Sequence, residues 1–590
     1  MCGIIGYTGD KQAQPIILDC MRKLEYRGYD SCGIAVSSKG ITLYKDAGRV
    51  EALVKVIPRI TGSIGIGHTR WATHGSPNRI NAHPHLDCSG KIAVVHNGVI
   101  MNYQKLKKEL TKEGHKFRSE TDTEVIPHLI EKYFQGDIVE AVEKTLSDLE
   151  GSYAIIAMED GESRLIAARK DSPMVIGLGD RSNYIASDVP ALLDYTNRVI
   201  YLDDGDIAVV DPGKVVIKRD NVEVKRDEQK ILWSVAEAQK GGYEHFMLKE
   251  IHEQPRVIRN TVGEYAGNGE QSIKLPAKVS SVLFLACGTS HNAAMVGKYI
   301  FEEILNIPAH VELASEFNYY RRTPDYDMAI GISQSGETAD TIRAMKKIKP
   351  TGCYTLSITN VVGSTASRIA NQTLYTRAGP EISVASTKTF TAQLVVLYLL
   401  AATSPKLDTN HSTHLMAGLR QLPSKVQQIL DEKAPIIDCA EYLKNQNNVF
   451  FIGRGINLPV ALEGALKLKE TSYIHAEGLA AGEIKHHTLA VLNADTPVIA
   501  PIGHDNTYEA MLTSIKEIRA RGVPVIALAE EGNEVVEDLA DRVLFTPAVD
   551  PLFSPVTNAV ILQLLAYYTS KARGCPIDFP RNLAKSVTVE

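Results

Sequence analysis

The chain has 590 residues, 44% of them apolar and 23% charged, with a net charge of −6 and no long basic run. This length calls for roughly three or four domains rather than one core, and the charge argues against nucleic acid, because binding a phosphate backbone needs a basic surface. The longest purely apolar stretch, Leu394 to Ala402, is less than half of the ~20 residues needed to cross a bilayer, so a buried helix and no membrane partner are expected. The first residues lack the basic and apolar regions of a signal peptide. Eight cysteines, none in a CxxC or Cys/His metal-ligand spacing, fit a reducing cytoplasm with mostly buried, inert thiols.

Cys2 is the exception. MCGIIGY puts a thiol directly behind the initiator methionine. Removal of Met1 would leave thiol and free α-amine on one residue, with reference pKa values of about 8.5 and about 7.7–8.0. The amine can then act as local base for a thiolate nucleophile. Next along the chain, QPIILDCMRKLEYR has helical periodicity, as does TEVIPHLIEKYFQ. From Arg164, the runs RLIAAR, MVIGLG, NYIASD, RVIYLD, DIAVV and VVIKR predict short strands. The intervening DS, GD, DDGD and DPG predict hairpin turns in a meander.

Three loops in this half carry chemistry: HTRWATHG (68–75), VVHNGVI (94–100) and SETDTEVI (119–126). Hydrolysing glutamine needs a cation for the α-carboxylate, a carboxylate for the ammonium and donors for the oxyanion. Arg70 suits the first task, Asp122 the second, and Asn97 with the Gly98 N–H the third. His83 and His85 in NAHPH have HxH spacing without a third ligand nearby in sequence, and are taken as structural. GSIGIG (62–67) lacks the helix a dinucleotide loop requires.

These segments, with EYRGYDS, resemble the class II glutamine amidotransferase domain of the glutamine–fructose-6-phosphate aminotransferase family, and the resemblance runs to the last residue. It implies that Cys2 attacks the glutamine amide once Met1 is gone. It implies that Arg70, Trp71, Thr73, His74, Asn97, Gly98 and Asp122 bind glutamine, with Trp71 beside the ammonia passage. Cys32 stands where the family usually has alanine.

From about residue 275 apolar runs of strand length alternate with helical segments: VSSVLFLACG, HNAAMVGKYIFEEIL, MAIGIS, ADTIRAMKKIK, CYTLSIT. This alternation predicts a parallel sheet covered by helices. VLFLACGTS (282–290) recurs as VFFIGRGIN (449–457), a shift of 167 residues that aligns Gly288 with Gly455 and Glu303 with Glu470. Two copies of one α/β fold follow. The expected organisation is residues 2–225, a linker and lead-in helix over 226–274, copies at 275–415 and 440–575, and a tail at 576–590.

SQSGET (333–338) and CGTSH (287–291) each follow a strand and open a helix. Ser333, Gln334, Ser335 and Thr338, with Thr289 and Ser290, crowd donors at the carboxyl edge of one sheet, where a sugar phosphate is suited to bind. Glu463, Lys467 and Glu470 lie at i, i+4 and i+7 on one helix face. On pattern alone this fits a solvated salt-bridge stripe best, although moving a proton between C1 and C2 of a sugar would call for a carboxylate base of this kind.

The loops resemble those of sugar isomerase (SIS) domains. The whole then becomes an N-terminal nucleophile (Ntn) α+β αββα-layered glutaminase domain followed by two α/β SIS domains with parallel sheets. The second copy, with PIGHDNTYEA in place of the loop, implies one sugar site per chain. The resemblance assigns proton transfer to Glu470 with Lys467 beside it, ring opening to His486 from the other subunit of a homodimer formed through the SIS domains, imine formation to Lys585 in the tail, and sugar contact to Val384. His487-Thr488 replaces the family's Gly-Pro. The implied reaction turns L-glutamine and D-fructose 6-phosphate into D-glucosamine 6-phosphate and L-glutamate, the first step of amino-sugar biosynthesis, without metal or other cofactor. Two other readings are a phosphoribosyl or aspartyl ammonia acceptor and a sugar-phosphate sensor. The first lacks an SGGxDS or acidic phosphoribosyl signature, and the second leaves the Glu470 and Lys585 motifs without a use.

Overall fold

The computed structural model describes residues 2–231, 233, 235–266, 273, 275–276 and 278–588. The expected loss of Met1, parts of the linker and the last two residues of the tail lie outside them. The described residues fall into two compact units. One holds the chain up to Ala238 with Glu337–Ala339 and the last residues from Ser586. The other holds Gln239–Gly336 and Asp340–Lys585.

The first unit stacks two antiparallel sheets between helices. One sheet has the strand order Glu228–Lys230, Arg198–Tyr201, Val175–Leu178, Ser182–Ala186, Gly3–Gly9, Ile64–Arg70, Ser31–Ser37, Ile41–Ala47. The other runs Val222–Glu223, Lys214–Arg219, Ile207–Asp211, Leu165–Lys170, Gly151–Glu159, Ile92–Ile100, His85–Leu86. Gly3–Gly9 and Ile64–Arg70 are buried at every position, because alternate side chains enter two different cores. Ile5 and Tyr7 pack with Ile17 and Met21 of the helix Ala13–Leu24. Ile4 and Ile66 face Val95 and Ile156 of the other sheet. That second sheet packs outward on the helices Tyr103–Lys112, Val125–Tyr133 and Ile138–Asp148. The αββα layering is therefore present.

The strands expected from Arg164 onward all form, but not as a simple meander. Val175–Leu178 with Ser182–Ala186, and Ile207–Asp211 with Lys214–Arg219, are hairpins, whereas Leu165–Lys170 and Arg198–Tyr201 do not pair with the strand that follows them in the chain. DDGD, expected as a hairpin turn, carries the chain from one sheet to the other. Ionic partners hold this crossing. Buried Arg169 reaches Asp204 at 3.0 Å and the Leu202 carbonyl at 3.0 Å, while Asp206 accepts from Arg219 and Arg226.

The second unit contains two parallel five-stranded sheets. Their orders are Ala309–Leu313, Val282–Ala286, Met328–Ser333, Tyr354–Thr359, Gln372–Tyr375, and His475–Ala480, Asn448–Gly453, Val498–Pro501, Val525–Glu530, Arg542–Thr546. In chain order both read second, first, third, fourth, fifth, so the repeat seen in sequence is a repeat of topology. Gly288 and Gly455 occupy matching left-handed positions, with φ of +55° and +53°. Both copies share one apolar core with Phe246–Ala266, Lys388–Ala402 and Ser554–Ala572. Lys388–Ala402, which contains the long apolar run, is buried at every position. Among the described residues no helix is long and apolar enough to cross a membrane.

The last segment has no regular structure, yet it is anchored. Asp578 accepts the N–H groups of Phe246 and Met247, both at 3.0 Å, at a helix start where they have no intrahelical partner. The Asp578 carbonyl accepts the Val384 N–H. Arg581 lies over the Tyr473 ring at 4.3 Å.

Candidate functional site

Two groups of expected residues come together, one in each unit. In the first, the half-buried Cys2 begins the strand Gly3–Gly9, directly opposite the end of Ile64–Arg70. The Trp71 N–H donates to Cys2 Sγ at 3.2 Å. Asn97 Nδ2 donates to the Cys2 carbonyl at 2.8 Å, and Asn97 Oδ1 lies 3.1 Å from His68 Nε2. Burial pushes the Cys2 thiol up, against the Trp71 N–H and the Arg70 guanidinium, which favour thiolate.

Arg70 is buried and donates to the carbonyls of His74, Gly75 and Ser76, so it holds the 74–76 loop. Its guanidinium also feels the Cys2 thiol and the carboxylates of Asp122 and Asp30. Asp122 accepts the Ile100 N–H at 2.8 Å, which fixes it beside the Asn97–Gly98 strand. Gly98 has φ of +126°, and a Cβ there would lie 2.1 Å from the Ser152 carbonyl oxygen, so only glycine fits. Trp71 packs edge-on against Tyr29, His74 packs edge-on against Tyr103, and Thr73 is exposed. Asp30, which sequence reasoning overlooked, accepts the Ala72 N–H and shapes this loop.

His83 and His85 lie in a stack of buried rings. His68 is 4.1 Å from His83, and His83 is 4.8 Å from His85. Burial lowers all three and holds His68 down at about 3, so they are neutral packing groups. Cysteines depart from expectation. Cys20, Cys32, Cys353 and Cys439 are buried, but Cys287 and Cys575 are half-buried and Cys88 is exposed.

In the second unit, Val282–Ala286 and Met328–Ser333 are neighbouring parallel strands, which places Thr289 and Ser290 beside Ser333, Gln334 and Ser335 at one sheet edge. Thr338 follows in sequence just before the helix Ala339–Ile348, in the Glu337–Ala339 stretch that groups with the first unit. Ser333 Oγ accepts the Gly336 N–H at 3.1 Å. Ser290 Oγ is committed to Gln393 Nε2 at 3.1 Å, and the Thr289 hydroxyl donates to Glu463 at 3.1 Å.

The Glu463–Lys467–Glu470 face is not a solvated stripe. Lys467 is 1% exposed and lies 2.6 Å from Glu470 and 3.5 Å from Glu463. Glu463 also accepts from Asn292 at 2.8 Å. Burial pushes Glu463 up to about 7, against the pull of Lys467. Burial opposes the Lys467 charge, but Glu470 and Glu463 outweigh it and raise Lys467.

Lys585 is 3% exposed and paired with Glu381, which is fully buried, with Ser386 Oγ at 3.0 Å. Burial disfavours the Glu381 charge, but Lys585, the Thr387 N–H and the Thr389 hydroxyl hold it down at about 2. Glu381 was overlooked in the sequence. Its available signal was an acid in EISVASTKTF just before a buried helix. Val384, in the same loop, is buried. His486 is exposed on a short helical turn and makes no described contact with Glu470 or Lys585 in its own chain. Its neighbour His487 turns to the Thr488 hydroxyl at 2.7 Å.

A glutamine amidotransferase domain family matches residues 68–194, and the SIS domain family matches 277–403 and 442–571. The chain is 48% identical to a glutamine–fructose-6-phosphate aminotransferase (isomerizing) of Methanosarcina acetivorans and 49% identical to one of Caldanaerobacter subterraneus, each match covering 100% of both chains. A solved C-terminal domain of glucosamine–fructose-6-phosphate aminotransferase from Francisella tularensis is 35% identical, with a TM-score of 0.55, over 58% of this chain and 100% of that one. With relatives this similar over their whole length, and with both halves of the fold accounted for, the chain belongs to the glutamine–fructose-6-phosphate aminotransferase (isomerizing) family.

Proposed function

We propose that this protein converts D-fructose 6-phosphate and L-glutamine to D-glucosamine 6-phosphate and L-glutamate. The observation that carries the proposal is that one chain holds both a thiol framed by Arg70, Asn97 and Asp122 and a buried lysine–carboxylate pair in an SIS unit. Cys2 attacks the glutamine amide, releases ammonia and leaves a glutamyl thioester that water cleaves. Arg70 and Asp122 take the α-carboxylate and α-ammonium, and Asn97 with Gly98 stabilises the oxyanion. Trp71, Thr73 and His74 complete the glutamine pocket.

In the SIS unit, Ser333, Gln334, Ser335, Thr338, Thr289 and Ser290 cradle the sugar phosphate, with Val384 against the sugar. Lys585 condenses with the C2 carbonyl of the open ketose and water leaves; ammonia then displaces the lysine. Glu470 moves the proton between C1 and C2, and Lys467 steadies its charge. Glu381 acquires a role the family resemblance did not suggest. When Lys585 becomes an imine its charge no longer holds Glu381 down, burial raises the carboxyl, and it can carry the proton Lys585 gave up. His486 of the partner subunit opens the ring, which requires a homodimer through the SIS domains. That requirement accounts for its separation from Glu470 and Lys585 here.

The domain division follows the same reading: glutaminase over 2–225, lead-in over 226–274, SIS copies at 275–415 and 440–575, and a catalytic tail at 576–590. The test uses Cys2→Ala in the full chain. Glutamine hydrolysis should vanish, while fructose 6-phosphate still binds in calorimetry. Loss of both would mean the two activities are not separate sites.

A further inference from the structure

We propose that Cys88, His115, His128 and Glu131 form a structural zinc site in the first unit, apart from the residues assigned to glutamine chemistry. Their ligand atoms all lie within 4.8 Å of one another. Cys88 Sγ is 3.7 Å from His115 Nδ1 and 3.5 Å from His128 Nδ1. Glu131 Oε2 is 3.0 Å from His115 Nδ1 and 3.5 Å from His128 Nδ1. With Zn–S near 2.3 Å and Zn–N or Zn–O near 2.0–2.1 Å, the edges of a tetrahedron are about 3.6 Å for S···N and about 3.3 Å for N···N or N···O. Four of the six separations scatter around those edges, and the other two, Cys88 to Glu131 and His115 to His128, lie within 4.8 Å, so the side chains need to close by no more than about 1.5 Å on an ion.

The donor set points to the metal. One thiolate, two imidazoles and one carboxylate at tetrahedral spacing suit zinc, whereas calcium and magnesium take oxygen shells of six or more ligands. Four protein ligands leave no position for water or substrate, which makes the site structural rather than catalytic. Binding would release the Cys88 thiol proton to solvent, and the exposure of Cys88 gives the ion a route in.

The surroundings are those of a ligand cage. The Lys116 N–H donates to Cys88 Sγ at 3.4 Å, and the Cys88 N–H donates to Glu131 Oε2 at 3.1 Å. His128 points Nδ1 at the cluster. Its Nε2 is buried without a hydrogen bond and faces Glu124 Oε1 at 3.9 Å. Glu124 thus stands on the far side of the ring, where closing to hydrogen-bond distance would fix the tautomer of a ligating His128. Glu124 is itself held by the Arg118 and Ser119 N–H groups at 2.7 and 2.6 Å.

The four ligands come from three places. Cys88 sits in the turn between His85–Leu86 and Ile92–Ile100, His115 follows the helix Tyr103–Lys112, and His128 and Glu131 are one turn apart on Val125–Tyr133. An ion would therefore tie the strand bearing Asn97 and Gly98 to the helix that follows Asp122.

The test is metal analysis of the full chain, expressed without a polyhistidine tag and purified without chelator. About one zinc per chain is expected, as purified or after incubation with zinc sulfate and gel filtration, falling below about a tenth in Cys88→Ser and in Cys88→Ser/His115→Ala. Cobalt(II) in place of zinc should give a thiolate charge-transfer band and tetrahedral d–d bands in the wild type, both absent from Cys88→Ser. Retained far-UV circular dichroism establishes that the variants fold, and the wild-type cobalt spectrum decides the matter if they do not. Less than about a tenth of an equivalent after zinc incubation, or equal zinc in wild type and folded variants, would overturn the site.

Discussion

At the scale of single residues, the lysine–carboxylate pair carries the sharpest expectation. Lys585 and Glu381 are both almost wholly removed from solvent, and a buried charge left without its partner is costly. Glu381→Gln should lower glucosamine 6-phosphate formation by about 10²–10⁴-fold, the range for a lost acid–base group, and leave glutamine hydrolysis unchanged. Synthesis near the wild-type rate would remove Glu381 from proton transfer. The buried Glu463 makes a pH prediction. Its folded pKa is raised to about 7, chiefly by burial, above the unfolded value of about 4.3. Folding thus favours the protonated form. Its contribution is complete below about pH 4.3 and is lost as pH rises through 7, a loss on the order of 3–4 kcal/mol. The buried His68, His83 and His85 act with the opposite sign in both proteins, so the test is the difference: the thermal midpoint of the wild type relative to Glu463→Gln should decline as pH rises from 4 to 8, and a constant difference would contradict this. Neither residue's setting was legible in the sequence. Glu381 meets Lys585 across 204 positions, and Glu463 meets Thr289 and Asn292 across 174 and 171. A helix stripe of acid, base and acid looks the same whether water or another domain covers it.

At the scale of elements, the 333–338 loop depends on one backbone conformation. Gly336 has φ of +64°, and a Cβ there would lie 2.1 Å from Ser364 Oγ. Gly336→Ala should therefore distort the loop at about 1–3 kcal/mol, weakening fructose 6-phosphate binding about tenfold in calorimetry without changing glutamine hydrolysis. Unchanged affinity would remove this loop from the phosphate site. Elements with strong local periodicity were legible: VLFLA and MAIGIS as buried parallel strands, and the apolar run as the buried helix Lys388–Ala402. The sheet membership of the strands from Leu165 to Arg219 was not, because alternation shows that a segment is a strand without showing its partner. DDGD looked like a hairpin turn for that reason; the arginines that make it a crossing come from Arg169, Arg219 and Arg226. The Cys88 cluster was hidden in the same way. Only His128 and Glu131 are close in sequence, and their spacing alone is common on helices.

At the scale of the molecule, two chemistries are carried by one chain, and nitrogen released at Cys2 must be the nitrogen fixed at C2 of the sugar. The most direct measurement supplies glutamine labelled with nitrogen-15 in its amide, fructose 6-phosphate and an excess of unlabelled ammonium, and reads the glucosamine 6-phosphate by mass spectrometry. Internal transfer from Cys2 gives product carrying the label with little dilution. Unlabelled product, or glutamate without glucosamine 6-phosphate, would contradict it.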